Sequence, residues 1–208
     1  MADDSGGMYT GGVEEVAAEL RQQFLEDFLE NMRGVDVTLE EANNGRWAPE
    51  KLIRKIHMTT LPVQGQADSL GVPLLGIIAH RLADYMANAK SMSLRAYEDI
   101  RIFVDTLVDI LEGNIPMDSN AALLVRKLPA KIGFDVGDVE SRNVEAMLVM
   151  LHGTATHSVE REMNECGYRT NTVTTTFEAF PLIVRTLPDL VIISAMMDEL
   201  DGLNLAAA

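Results

Sequence analysis

Apolar residues recur at every third or fourth position from Val13 to Met32, at Val13, Val16, Ala17, Leu20, Phe24, Phe28 and Met32. That spacing predicts one amphipathic helix whose stripe faces a core. Val37 to Ala42 continues helically until Asn43, Asn44 and Gly45 interrupt it. A third helical segment starts near Pro49, a residue suited to a first helical turn, and carries Leu52, Ile53 and Ile56 toward Pro62. Pro73 to Met92 repeats the pattern with Leu74, Ile77, Ile78, Leu82 and Met86. Leu94 to Leu111 does so with Tyr97, Ile100, Val104, Leu107 and Leu111, a seam for packing on another helix. Residues 13–114 are therefore expected to form an antiparallel helical bundle, preceded by a glycine-rich flexible arm over 1–12.

The period changes after Gly113. Pro116, Pro129, Gly133 and Gly137 break up residues 115–143, which read as a linker holding at most one short helix around Ala121 to Val125. Beyond it the chain alternates. Ala146 to Leu151 is a continuous apolar run of the kind a buried parallel strand requires. An amphipathic helix over 155–166 stops at Gly167, Tyr168 to Val173 is strand-like, Thr175 to Thr186 is helical, and Asp189 to Ser194 is a third strand. Strand, helix, strand, helix, strand implies parallel pairing. The expected fold class is thus α plus α/β, with a partial parallel three-stranded unit over 144–208. Its third strand, Asp189 to Ser194, is expected to leave an open edge.

The chain has 208 residues, with 17 Lys and Arg against 32 Asp and Glu and a net charge of -15. Such a balance repels phosphate backbones and anionic lipid, so neither nucleic acid nor a membrane surface is an expected partner. No apolar run approaches the length of about 18 residues that a membrane span needs, and Met1 to Gly12 lacks the pattern of a secretory signal. A cytoplasmic location is the expectation. One cysteine, Cys166, and four histidines give no zinc-like spacing. Cys166 is expected to be a buried small residue at a helix end. His152 and His157 flank Gly153 and do not share a helical face, while Asp198, Glu199 and Asp201 read as a solvated loop. No nucleophile elbow, Walker sequence or dinucleotide fingerprint occurs, so neither an enzymatic activity nor a cofactor is expected.

Two stretches resemble known families. Gly65-Gln66-Ala67-Asp68-Ser69-Leu70-Gly71-Val72-Pro73-Leu74-Leu75, followed by Ala79-His80-Arg81-Leu82, resembles the histidine phosphotransfer domain. Phe24 to Phe28 is similar to that family's first long helix, and Asn44-Gly45-Arg46-Trp47 to its turn before the phosphohistidine helix. Pro188 to Leu203 resembles the third strand and following loop of response-regulator receiver domains, whose fold is flavodoxin-like. Glu165-Cys166-Gly167-Tyr168 is similar to the end of the receiver's first helix. The likeness reaches only about the first half of a receiver.

The resemblances imply a bacterial two-component signalling protein, and the departures decide its expected chemistry. A receiver holds Mg²⁺ and accepts phosphate with an acidic pair after its first strand and an aspartate ending its third. Those positions fall on Met150, Leu151 and Ser194, so receiver chemistry is not expected. In the helical half, alignment from Gly65 puts the phosphohistidine on Leu61 and the family's lysine on Gln64. Alignment from Trp47 and Leu52 puts it on His57. The two sites lie about one turn apart and share a face, although Pro62 is expected to break or kink the helix between them.

His57 follows Lys51, Arg54 and Lys55, a small basic patch beside the candidate phosphoacceptor. These, with Leu61, Gln64 and Gly65, form the expected docking surface for receiver or histidine kinase domains. Gln64 to Ala67 reads as a packing device. The leading expectation is a non-catalytic docking protein; the alternatives are an active phosphotransfer protein using His57, and a structural scaffold or dimerisation module. Homo-oligomerisation is compatible with all three.

Overall fold

The computed structural model describes residues 7–87, 92–130, 144–198 and 202–207. The chain divides into two compact units, Met1–Ala83 with Ser91–Asp118, and Asp84–Lys90 with Ser119–Ala208. The first is helical: α1 Gly7–Asn43, α2 Pro49–Gln66, α3 Pro73–Met86 and α4 Leu94–Leu111. The second holds α5 Ala121–Val125, β1 Glu145–Val149, α6 Thr154–Glu165, β2 Arg169–Val173, α7 Thr176–Thr186, β3 Leu190–Ile193 and α8 Gly202–Ala207.

In the helical unit, α1 packs on α2 and on α4. Arg33 pairs with Glu112 at 2.9 Å and Asp36 with Arg101 at 3.6 Å, so α1 and α4 run antiparallel. Met32, Val35 and Leu39 of α1, Leu52 and Ile56 of α2, Leu75 and Ile78 of α3, and Ile100 and Leu107 of α4 are almost completely buried. The two segments expected before Asn43 are one helix. It begins at Gly7, inside the stretch expected to be a flexible arm; Met1 to Gly6 lie outside the described residues. The expected stripe is buried only from Phe28 onward, since Val16 and Leu20 are more than half exposed.

The α1–α2 turn follows from one glycine. Gly45 adopts φ 72, a region that costs a side-chain-bearing residue about 1 kcal/mol or more. It lets Arg46 N–H reach Glu41 O at 2.9 Å and Gly45 N–H reach Ala42 O at 3.0 Å, closing the helix in a Schellman motif. Pro49 then opens α2 at its first turn. Contrary to expectation, Pro62 does not end α2, which runs on to Gln66. Pro62 and Met58, whose carbonyl loses its N–H partner, are both on the exposed face, where water can take that hydrogen bond.

The second unit carries a parallel sheet of order β2-β1-β3. Central β1 is buried throughout. Met147, Val149, Val173, Ala179 and Leu205 form the core on one face, with Val191 and Ile193 packed against them. On the other face α6 meets β2 through polar groups: Thr172 Oγ1 donates to buried Glu160 at 3.0 Å, and Thr170 Oγ1 to Asn164 at 2.9 Å. Helix α6 ends at Gly167, φ 82, as its sequence predicts. Among the described residues β3 pairs with β1 alone, leaving the expected open edge. Residues 131–143, the rest of the expected linker, lie outside the described residues. No helix among the described residues is long and apolar enough to cross a membrane.

Candidate functional site

The exposed face of α2 gathers the residues that the sequence singled out. Leu52, Ile56, Thr60 and Val63 are the buried side of this helix, fixed by their spacing of three and four. His57, Met58, Leu61 and Gly65 are exposed, with Gln64 half-buried. Because α2 is continuous through Pro62, His57, Leu61 and Gln64 lie on one strip, within about 60° of one another at about 100° per residue. Thr60 Oγ1 donates to Ile56 O at 3.0 Å and to His57 O at 3.4 Å.

The basic residues form a different strip. Lys51, Lys55 and Met58 lie about 120° around the helix from the His57 strip, with Arg54 between the two. Trp47, Glu50, Lys51, Arg54, Lys55 and Met58 line an open depression of about 470 Å³. Lys51 Nζ stands over the Trp47 ring at 5.1 Å from its centroid, a cation–π geometry. Lys55 reaches across to α1, where a β-carbon on Gly34 would be 3.0 Å from Lys55 Nζ. Lys51, Arg54 and Lys55 make no ion pair among the described residues. The docking surface expected as one patch is therefore two adjacent strips, and His57 is not in the depression.

Gln64-Gly65-Gln66-Ala67 does act in packing, through its last member. Ala67 is 1% exposed, and a β-carbon on Gly76 of α3 would stand 2.9 Å from Ala67 Cβ. Gly65 is exposed with nothing near its missing β-carbon. His80 is half-buried on α3 beside buried Arg81.

In the second unit Met150, Leu151 and Ser194 meet at the C-terminal edge of the sheet, the usual ligand-binding edge of open α/β sheets. Val149 pairs with Ile193, Met150 N–H donates to Val173 O at 3.0 Å, and Ser194 N–H to Val149 O at 2.9 Å. Ser194 Oγ donates to Met196 O at 3.0 Å. These side chains offer two apolar groups and one hydroxyl, a poor set for a hard divalent cation. No group of three or more potential metal ligands occurs among the described residues. His152 is exposed; His157 Nδ1 is 3.8 Å from Glu160 Oε2. Cys166, expected to be buried, is exposed, because the helix ends with that residue turned outward. Asp198 is exposed, and Glu199 and Asp201 lie outside the described residues.

Two features escaped the sequence. Arg126, Glu145, Arg169 and Asp189 form an ionic cluster at the N-terminal edge of the sheet, built from residues far apart in the chain. Phe177, Phe180 and Val184 form an exposed apolar strip on α7. Its signal was present, since α7 is apolar on both faces while only one can meet the sheet. Comparison with protein-family models, curated proteins and solved structures finds no match.

Proposed function

We propose that the chain is a non-catalytic docking protein of two-component signalling, pairing a degenerate phosphotransfer-like bundle with a degenerate receiver-like unit. The observation carrying this reading is the uninterrupted α2, which presents His57 and Leu61 to solvent, with half-buried Gln64 on the same strip, beside Lys51, Arg54 and Lys55. A partner receiver or histidine kinase domain would contact that face. Met150, Leu151 and Ser194 support the same reading, because a sheet edge without their acidic counterparts retains a docking shape and loses phosphoryl chemistry.

Continuity of α2 through Pro62 favours a second reading, active phosphotransfer at His57. An exposed imidazole can be a neutral nucleophile. Its nitrogen would take the phosphoryl group from an aspartyl phosphate on the partner, releasing the aspartate carboxylate, with Mg²⁺ held at the partner's site. Arg54, about 60° around the helix from His57, is placed to offset phosphate charge.

Incubation with phosphorylated receiver domains, read by acid-labile label, separates the readings. Docking predicts binding without label. Label that is lost in His57→Ala establishes phosphotransfer, and absence of both binding and label overturns the two together.

A further inference from the structure

We infer that the Trp47 depression docks an acidic protein segment carrying an apolar anchor, on a face of α2 separate from the His57 strip. The inference rests on the docking reading for α2 as a contact helix, and goes beyond it by giving the occupant's chemistry.

Charge sets the first half of that chemistry. In a chain with almost twice as many acids as bases, six arginines, Arg33, Arg95, Arg101, Arg126, Arg161 and Arg169, each pair with a carboxylate. Lys51, Arg54 and Lys55 make no such pair among the described residues and converge on one depression, against a single acid, Glu50. Three cations with no carboxylate partner among the described residues attract an anionic partner and repel a cationic one.

The floor sets the second half. Met58 is 66% exposed and Trp47 38% exposed, and both line the depression. Trp, Met and Arg are the residue types enriched where interfaces desolvate. Simple counter-ion binding would not use an indole and a thioether, whereas an apolar side chain between carboxylates would cover both. The open shape suits a protein segment laid across the helix better than an enclosed small molecule. An extended polyanion such as nucleic acid or an anionic lipid surface would face the rest of a chain of net charge -15, whereas a short acidic segment meets only the cations around the depression, within the distance that salt leaves unscreened.

Trp47 is the only tryptophan in the chain, so its emission reports on this site alone. The probe is a synthetic peptide of Asp and Glu with two central Leu and no aromatic residue, titrated into the full chain at low salt. Saturable change of Trp47 emission is expected. It should weaken about tenfold when Ser replaces the Leu pair, as loss of two partly buried apolar side chains implies, and again as salt screens the charges. The Lys51→Glu, Lys55→Glu double variant should abolish it, and the neutral Lys51→Gln, Lys55→Gln variant should fall between. His57→Ala should leave it unchanged.

Equal binding of the Ser peptide would reduce the site to charge attraction and overturn the inference. So would an equal response to phosphatidylglycerol vesicles, or self-association that changes Trp47 emission without peptide. Loss of peptide binding in His57→Ala would merge the two strips and overturn it as well. Retained capture of receiver domains with no peptide response would remove this inference and leave the docking reading standing.

Discussion

Arg169 and Glu145, the first residues of adjacent strands β2 and β1, face each other in register and form an ion pair at 2.5 Å that is almost wholly buried. The same guanidinium donates to Leu128 O at 2.6 Å and to Val125 O at 3.3 Å. One side chain thus fastens the segment after α5 to the sheet.

Breaking that pair should be among the costliest single changes in the second unit. Arg169→Met leaves Glu145 without its guanidinium and takes the guanidinium donor from Leu128 O, while Val125 O keeps the Leu128 N–H at 3.2 Å, a loss of about 3 to 5 kcal/mol. Glu145→Gln, which keeps an acceptor, should cost less. Urea unfolding of both single variants and the double variant gives the coupling. Additive effects would show that the pair does not act as a unit.

Asp189 predicts an acid limb. It accepts from Arg126 at 2.9 and 3.2 Å and from Glu145 N–H at 2.9 Å. The Arg126 hydrogen bond, then that backbone N–H, hold its carboxyl below the ordinary value. Its contribution is therefore complete above the unfolded value of about 3.9, and is lost as pH falls through the lower folded value. Asp189 is 42% exposed and Arg126 25%, so solvent screening limits Asp189→Asn to about 1 kcal/mol at neutral pH. The gap between variant and wild type should close on acidification; a gap that widens would contradict the assignment.

Leu187 should be improvable. It closes α7 at φ 47 and ψ 62, and is the one non-glycine residue with positive φ among those described. Its side chain is 61% exposed, so little burial opposes the strain. Leu187→Gly should raise stability by up to about 1 kcal/mol, relief of the left-handed penalty being partly offset by entropy of the unfolded chain. Thermal unfolding measures it, and a lower midpoint would mean that the Leu side chain packs favourably.

Much of this architecture was readable from local pattern, because periodicity and stop residues act within a few positions. Leu94 to Leu111 forms a helix as its seam requires, β2 and β3 fall within the segments expected for them, and β1 begins one residue before its apolar run, at Glu145. Pro62 was misread because its cost depends on whether Met58 O faces solvent, which only the folded helix decides. The uncovered stripe at Val16 and Leu20 has the same origin, since periodicity marks a face and does not supply what covers it. At the candidate site, the basic patch was legible as sequence neighbours. Its separation from His57 required the rotation of α2, and its depression required Trp47 to be placed by the Gly45 turn.

Gly76 and Gly65 offer opposite outcomes from the same substitution. Gly76 lies on α3, where an added methyl would stand 2.9 Å from Ala67 Cβ, itself 1% exposed. Neither group is a flexible tip, so α2 and α3 must move apart, and Gly76→Ala should cost about 1 to 3 kcal/mol by overpacking. Gly65 lies in the last turn of α2, exposed and with nothing within 4 Å of an added methyl. Gly65→Ala should therefore gain about 0.5 to 1 kcal/mol from helix propensity alone. Chemical denaturation of the pair tests the α2–α3 contact directly: destabilisation by both would place Gly65 in a tight approach that its open surroundings deny, and tolerance of both would remove the close packing at Ala67.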